Sequence, residues 1–349
     1  MAVSFISSLP SLVSSLNDGT TPNTTSLRYS AAAAIRCCKT TQCNGNAREG
    51  AFPRRDVLKF AGAAIGVELI SSSGSFVQTA TAADLIQRRQ RSEFQTFIKT
   101  TLSKSIQEKP ELIPPLLTLA LNDAITYDKA TKSGGPNGSI RLSSEISRPE
   151  NKALSAALNL LEEAKKEIDA NSKGGPISFA DLIQFGAQSA VKSTFIAAAV
   201  RKCGGNEEKG RLLYTAYGST GQWGQFDKIF GRDDAQEPDP EGRVPLWEKA
   251  TVQEMKDKFS AVGLGPRQLA VMSAFLGPDQ AATEALLASD KDVAPWVQKY
   301  QRSRETVSQT DYEVDLITTV TKLSGLGQRI DYEAYTYPVK RIELSKLKL

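Results

Sequence analysis

Apolar positions along the chain recur at helical spacing. Over residues 85–106, Leu85, Ile86, Phe94, Phe97, Ile98, Leu102 and Ile106 fall on one stripe, the period expected when every third or fourth side chain meets a core. Residues 111–126 are apolar nearly all round, through Leu112, Ile113, Leu116, Leu117, Leu119, Leu121 and Ile125. Such a helix must be enclosed by others. Residues 150–168 repeat the stripe with Leu154, Leu158, Leu161 and Ile168. Ser178 and Asp181 have the spacing of an N-cap pair, and the helix they predict runs to Gly204-Gly205. Thr251-x-x-Glu254 and Thr310-x-x-Glu313 have capping-box spacing. The first opens a helix closed by Gly263, the second a helix ending at Gly325 and Gly327. Pro266 suits the first turn of a helix reaching Leu276, and another helix fits 278–289. Residues 204–250 are rich in Gly, Pro and Asp and predict an elaborated loop region with short pieces of structure. Residues 331–349 alternate weakly and predict a strand or an extended tail. The class is all-α, with about nine helices.

Composition sharpens this picture at one point. The chain of 349 residues contains no His, where about seven or eight would be ordinary. That excludes Ser-His-Asp and Cys-His nucleophile systems, His-ligated zinc and His-ligated haem. It also removes the one side chain that titrates unperturbed near neutral pH.

The first 82 residues read as targeting sequence. Residues 1–50 are rich in Ser, Thr and Ala, with four basic residues against Asp18 and Glu49, a transit-peptide composition. Arg54-Arg55, a short apolar run from Phe60 to Val67, and Ala80-Thr81-Ala82 then follow, the order of a twin-arginine signal with its cleavage site. The run is too short to span a bilayer and is bounded by Lys59 and Glu68. The two signals in series predict a chloroplast thylakoid lumen destination, removal of 1–82, and a single helical domain over 83–349. Beyond the leader, 36 basic residues face 35 acidic ones, so no electrostatic footprint for nucleic acid remains. Three of the four cysteines also lie in the leader, leaving Cys203 without an internal partner.

Several stretches resemble class I haem peroxidases, ascorbate peroxidase most closely. They are Thr126 to Ile140 with its Gly134-Gly135-Pro136-Asn137-Gly138, Ile177 to Asp181, Gly231-Arg232-Asp233-Asp234 with Glu237 to Pro245, Val293 to Tyr300, and Leu323 to Gly327. The resemblance covers roughly 85–327 and implies a two-lobed haem-peroxidase fold. It also implies haem as cofactor and peroxide removal with ascorbate as activity. The departures argue otherwise. Where the family's distal helix carries Arg, two residues, then Trp-His, this chain has Thr118, Leu121 and Asn122. The proximal His position falls on Leu276. The segment after it is much shortened, and an extra stretch lies between Ala190 and Gly231.

A positioned base is worth ~10²–10⁴ in rate, and an Asn cannot titrate. Thr118 cannot supply a fixed cation to developing oxygen charge, and Leu276 has no lone pair for iron. The expectation is a protein without haem, metal or catalytic residues, its haem slot filled or narrowed by Leu121, Phe275 and Leu276. Met272, one turn before Leu276, and Cys203 are the remaining potential iron ligands, read here as a core methionine and a structural or exposed thiol. Resemblance and leader together imply binding to lumen-exposed photosystem II subunits or the thylakoid surface. The contact candidates are the aromatics of the extra stretch, Tyr214, Tyr217, Trp223 and Phe226, and the basic tail at Lys340 and Arg341. An active ascorbate peroxidase and a pocket that merely binds ascorbate are the alternatives.

Overall fold

The computed structural model describes residues 82–338. The leader, but for its last residue, and the basic tail with Lys340 and Arg341 lie outside the described residues. Eleven α-helices and six short 3-10 helices make up the described chain. Among the described residues the one β-type pairing is an isolated bridge between Asp128 and Ser133.

The N-terminal group holds α1 (Ala82–Glu108), α2 (Ile113–Ile125), α3 (Ser143–Ile146), α4 (Ser155–Asn171), α5 (Phe179–Lys202) and α6 (Glu207–Tyr217). The C-terminal group holds α7 (Val252–Ala261), α8 (Pro266–Val271), α9 (Gln280–Leu287), α10 (Ala294–Glu305) and α11 (Thr310–Ser324). One continuous apolar core joins them. No described helix is long and apolar enough to cross a membrane.

The helix α2 is enclosed, as its all-round apolarity requires. Every residue from Leu116 to Ile125 is buried except Thr118. Pro114 and Pro115 occupy its first turn, where a missing N–H costs nothing. The helix α5 is the spine and packs against α1, α2 and α6. Gly186 lets the neighbours close in, since a Cβ there would sit 2.9 Å from Leu161 Cδ2 and 3.5 Å from Leu116 Cδ1. In α1 the stripe meets the core from Phe94 onward, while Leu85 and Ile86 stay exposed.

A buried ion pair ties the two groups together. Asp181, in the first turn of α5, accepts from Arg232 Nη1 at 2.6 Å, Gly231 N at 2.8 Å and Tyr335 Oη at 2.8 Å. The Arg232 Nε donates to Ser324 O at the end of α11, 3.0 Å away. Both charged side chains are fully enclosed. Nearby, Ser178 Oγ caps α5 by accepting from Asp181 N, and Asp234 accepts from Phe179 N and Ala180 N.

Four elements differ from the sequence expectation. The stretch 204–250 contains a full helix, α6, capped by Asn206 accepting from Lys209 N. Its Glu207, Glu208 and Lys209 mask the short apolar face, and Gly210 lets it rest directly on the Val200 backbone. Thr310 is no N-cap. Gln309 holds that place with φ 39°, and Glu313 instead accepts from Ser219 N and Oγ and from Gln309 Nε2. The helix from Pro266 stops at Val271 and continues as a 3-10 turn over Ser273–Phe275. Residues 332–335 form a turn, and no strand occurs over 331–338, where a strand or an extended tail was expected.

Replacing Arg232 with Met leaves Asp181 buried without its counter-charge. The expected loss is about 3–5 kcal/mol of unfolding free energy, measurable by urea denaturation. A change under about 1 kcal/mol, within the range of an exposed pair, would contradict the hub role given to this contact.

Candidate functional site

The positions that carry chemistry in the resembled family come together between α2 and the turn after α8. The 3-10 geometry is set by Phe275 N donating to Met272 O at 2.8 Å. A helix end leaves carbonyls free, and the free Phe275 carbonyl points at α2. There the Thr118 hydroxyl meets it at 2.9 Å, with Pro114 O at 3.2 Å as its second neighbour. Leu121 and Leu276 are both buried in the surrounding core. Met272 is fully buried three residues before the contact.

Asn122 is wholly committed to structure. Its Nδ2 donates to Asn151 Oδ1 at 2.8 Å and Glu150 O at 3.2 Å, and its Oδ1 accepts from Trp247 Nε1 at 2.7 Å. Asn151 passes the chain on to Glu145 O at 3.0 Å. The Trp247 ring packs edge-on against Phe259, centroids 6.2 Å apart. A buried amide with donor and acceptor both matched is stable as it stands.

These residues do not fit haem. A planar ring between two walls needs a carbon contact of about 3.5 Å on each face, so about 7 Å overall. Thr118 and Phe275 are in direct hydrogen-bond contact instead. Leu276 offers iron no lone pair, and Asn122 Oδ1 is already held by the Trp247 indole. What persists of a slot is a groove of about 410 Å³ beside the contact, walled by Pro115, Pro149, Leu246, Trp247, Leu276 and Pro278. Glu150, Glu248 and Lys152 stand on its lining. Among the described residues no three His, Cys, Asp or Glu side chains are arranged to hold a metal ion.

Behind Asn122 lies a buried acidic cluster. Burial drives the Asp123 carboxyl well above its ordinary range; Glu145 and Asp239 add to the shift, and a hydrogen bond from Gly138 N opposes it. Burial likewise raises Glu145, against a hydrogen bond from Asp239 N at 2.9 Å. Asp123 Oδ1, Asp239 Oδ2 and Ser139 Oγ are buried without a partner.

The other candidate residues are scattered. Trp223 and Phe226 are fully buried and Tyr214 nearly so. The Trp223 ring packs edge-on against Phe226, and Phe226 against Phe185. They therefore form core beneath α5, not an exposed aromatic surface, because the extra stretch folds back onto the helix before it. The Tyr217 side chain lies outside the described residues. Cys203 is a half-buried free thiol whose N–H closes the C-terminus of α5. Sequence reasoning did not single out Trp247, Asn151 or Asp123. The available signal was the pair Asn122-Asp123 inside an otherwise apolar helix, since enclosed polar groups require partners.

An acid whose folded pKa lies above its unfolded value holds its proton more tightly when folded. Its contribution is full below the unfolded value and is lost as pH rises through the folded one. For Asp123 the decline begins above about 3.8. That contribution should therefore fall as pH rises from there towards neutrality, so the melting temperature of Asp123→Asn, neutral throughout, should gain on that of the parent protein over the same pH range. An unchanged slope in the variant would contradict the assignment.

The chain matches the peroxidase family over residues 98–277. It is 72% identical over 347 residues to the thylakoid lumenal 29 kDa protein, chloroplastic, of Solanum lycopersicum, covering 99% of this chain and 100% of that one. The crystal structure of the TL29 protein from Arabidopsis thaliana superposes with a TM-score of 0.71 at 77% identity, over 72% of this chain and 100% of its own. L-ascorbate peroxidase 3 of Arabidopsis thaliana is 31% identical over 172 residues, 49% of this chain and 47% of that protein. The chain belongs to the peroxidase family, among the thylakoid lumenal 29 kDa proteins of chloroplasts.

Proposed function

We propose that the protein is a non-catalytic, haem-free member of its family that acts by binding in the thylakoid lumen, at lumen-exposed photosystem II subunits or at the membrane surface. The observation that carries this reading is the Thr118–Phe275 hydrogen bond, which joins the two walls of the family's cofactor slot. Three losses accompany it. Leu276 cannot ligate iron, Asn122 cannot exchange protons, and Thr118 cannot supply a cation. These act on one unit, so restoring any one alone returns little.

The binding role rests on charge and location. The tail sets Lys340, Arg341, Lys346 and Lys348 against Glu343, a basic segment suited to an acidic partner or anionic lipid surface. The aromatics of the extra stretch are in the core, so docking through that segment would use its polar outer face and Leu212, which is 68% exposed. The groove beside Trp247 has the volume of a small-ligand site. Its two carboxylates against one ammonium do not favour an anion such as ascorbate.

Two measurements test the proposal together. Peroxide turnover with ascorbate should not exceed a free-haem control. The protein should co-sediment with thylakoid membranes at low salt and be released at high salt, where screening shortens the reach of its charges. Turnover above the control, or absence of membrane association at low salt, would overturn it.

A further inference from the structure

The groove beside Trp247 does not end at Leu276. A second concavity of about 250 Å³ continues it, and the two share Trp247, Glu248, Leu276, Gly277 and Pro278. The result is one trough with two compartments. Leu246 stands on the first and Leu286 on the second, each 42% exposed. Two half-exposed leucines on one concave apolar surface differ from the singly scattered leucines of an ordinary protein exterior. The local sequence keeps the trough open. Pro115, Pro149 and Pro278 present carbon to it and have no N–H to leave unpaired. Gly277 has no side chain, and a Cβ there would meet Thr283 Oγ1, on the wall of the second compartment, at 3.8 Å.

The charge on this surface is acidic. Glu150 accepts from Asn122 Nδ2 through its backbone carbonyl, and among the described residues its carboxylate has no hydrogen-bond or ion-pair partner. The same holds for Glu248, which stands where the two compartments meet. Asp279 Oδ1 caps α9 by accepting from Ala281 N at 2.9 Å and Ala282 N at 3.1 Å. Among the described residues Lys152 is the one cation on either lining.

We propose that the trough is a docking site for an extended, basic segment of a protein partner, one that carries two aliphatic side chains two positions apart beside a lysine or arginine. The inference rests on the reading of the protein as a binder and names the surface and the partner's chemistry. In an extended chain, residues i and i+2 project to the same side about 7 Å apart, so each compartment takes one side chain. Cations beside them meet the unpaired carboxylates of Glu248 and Glu150, and an acidic segment is repelled. A small amine fills one compartment and leaves the other, with its leucine, in water.

The test is fluorescence polarisation with the purified full-length protein. The probe is a fluorescein-labelled nonapeptide with two leucines two positions apart, flanked by lysines, in a glycine–serine background. It should bind saturably, with a dissociation constant on the order of 10–100 µM. Glutamates in place of its lysines should weaken binding at least about tenfold, and serines in place of its leucines should do the same. Glu150→Gln combined with Glu248→Gln should weaken it roughly fivefold, and the fold does not depend on these two unpaired carboxylates. Gly277→Leu, which places a side chain in the second compartment, should weaken it at least about tenfold. Equal binding of the glutamate probe, or binding unchanged in both variants, would overturn the proposal. So would competition by n-butylammonium at the probe's own affinity, which would make the trough a small-amine site. Dimerisation of the free protein that the probe reverses would also overturn it, giving the trough to a second copy. Polarisation is read without haem, peroxide or membranes, so its failure leaves the broader binding role to be decided by turnover and co-sedimentation.

Discussion

The contact between α2 and the turn after α8 is the constraint around which the rest of the site is arranged. A threonine hydroxyl on one element meets a helix-terminal carbonyl on the other at 2.9 Å. Both are partly buried polar groups, and each gives the other a partner. The distance also fixes how near the two elements stand. With the walls joined, the apolar side chains at 121 and 276 pack as core, and the remaining space is a groove at the side.

Buried polar groups beside this contact need partners. Asn122 finds them in Trp247, Glu150 and Asn151, which draws the 246–248 and 149–151 loops onto α2. Its neighbour Asp123 is less fully matched. It keeps one unpartnered oxygen and favours its protonated form. The Asp181–Arg232 pair differs again. It is buried, but backbone N–H groups, a tyrosine hydroxyl and a helix-end carbonyl surround it. Breaking such a pair is costlier than never having made it. All three are built from the chain's own groups.

The helical class was legible wherever a local rule decided it. The all-round apolarity of α2, the Ser178 cap and the Thr251–Glu254 box each depend on residues within one or two turns. Local rules failed where a distant partner outcompeted a near one. Glu313 bonds Ser219, 94 positions away, in place of the cap that its spacing to Thr310 suggested. The short stripe of α6 is hidden by a charged first turn and is recovered only by packing on Val200. Trp223 and Phe226 are aromatic residues in a Gly-rich stretch, and period alone cannot tell a folded-back loop from a sticky surface. For the candidate site, Thr118, Asn122 and Leu276 could be placed by resemblance. Their partners Phe275 O, Trp247 and Asn151 could not, because a long-range hydrogen bond leaves no periodic trace.

The central claim is that the family's cofactor slot is closed by direct contact between its walls. Haemin titration of the purified protein, followed in the Soret region and quantified as the pyridine haemochrome, tests it most directly. A closed slot predicts weak, non-saturating absorbance with no stoichiometric endpoint. A sharp one-to-one Soret band would contradict it, and would require α2 and the 273–276 turn to part and Met272 or Cys203 to be examined as the iron ligand.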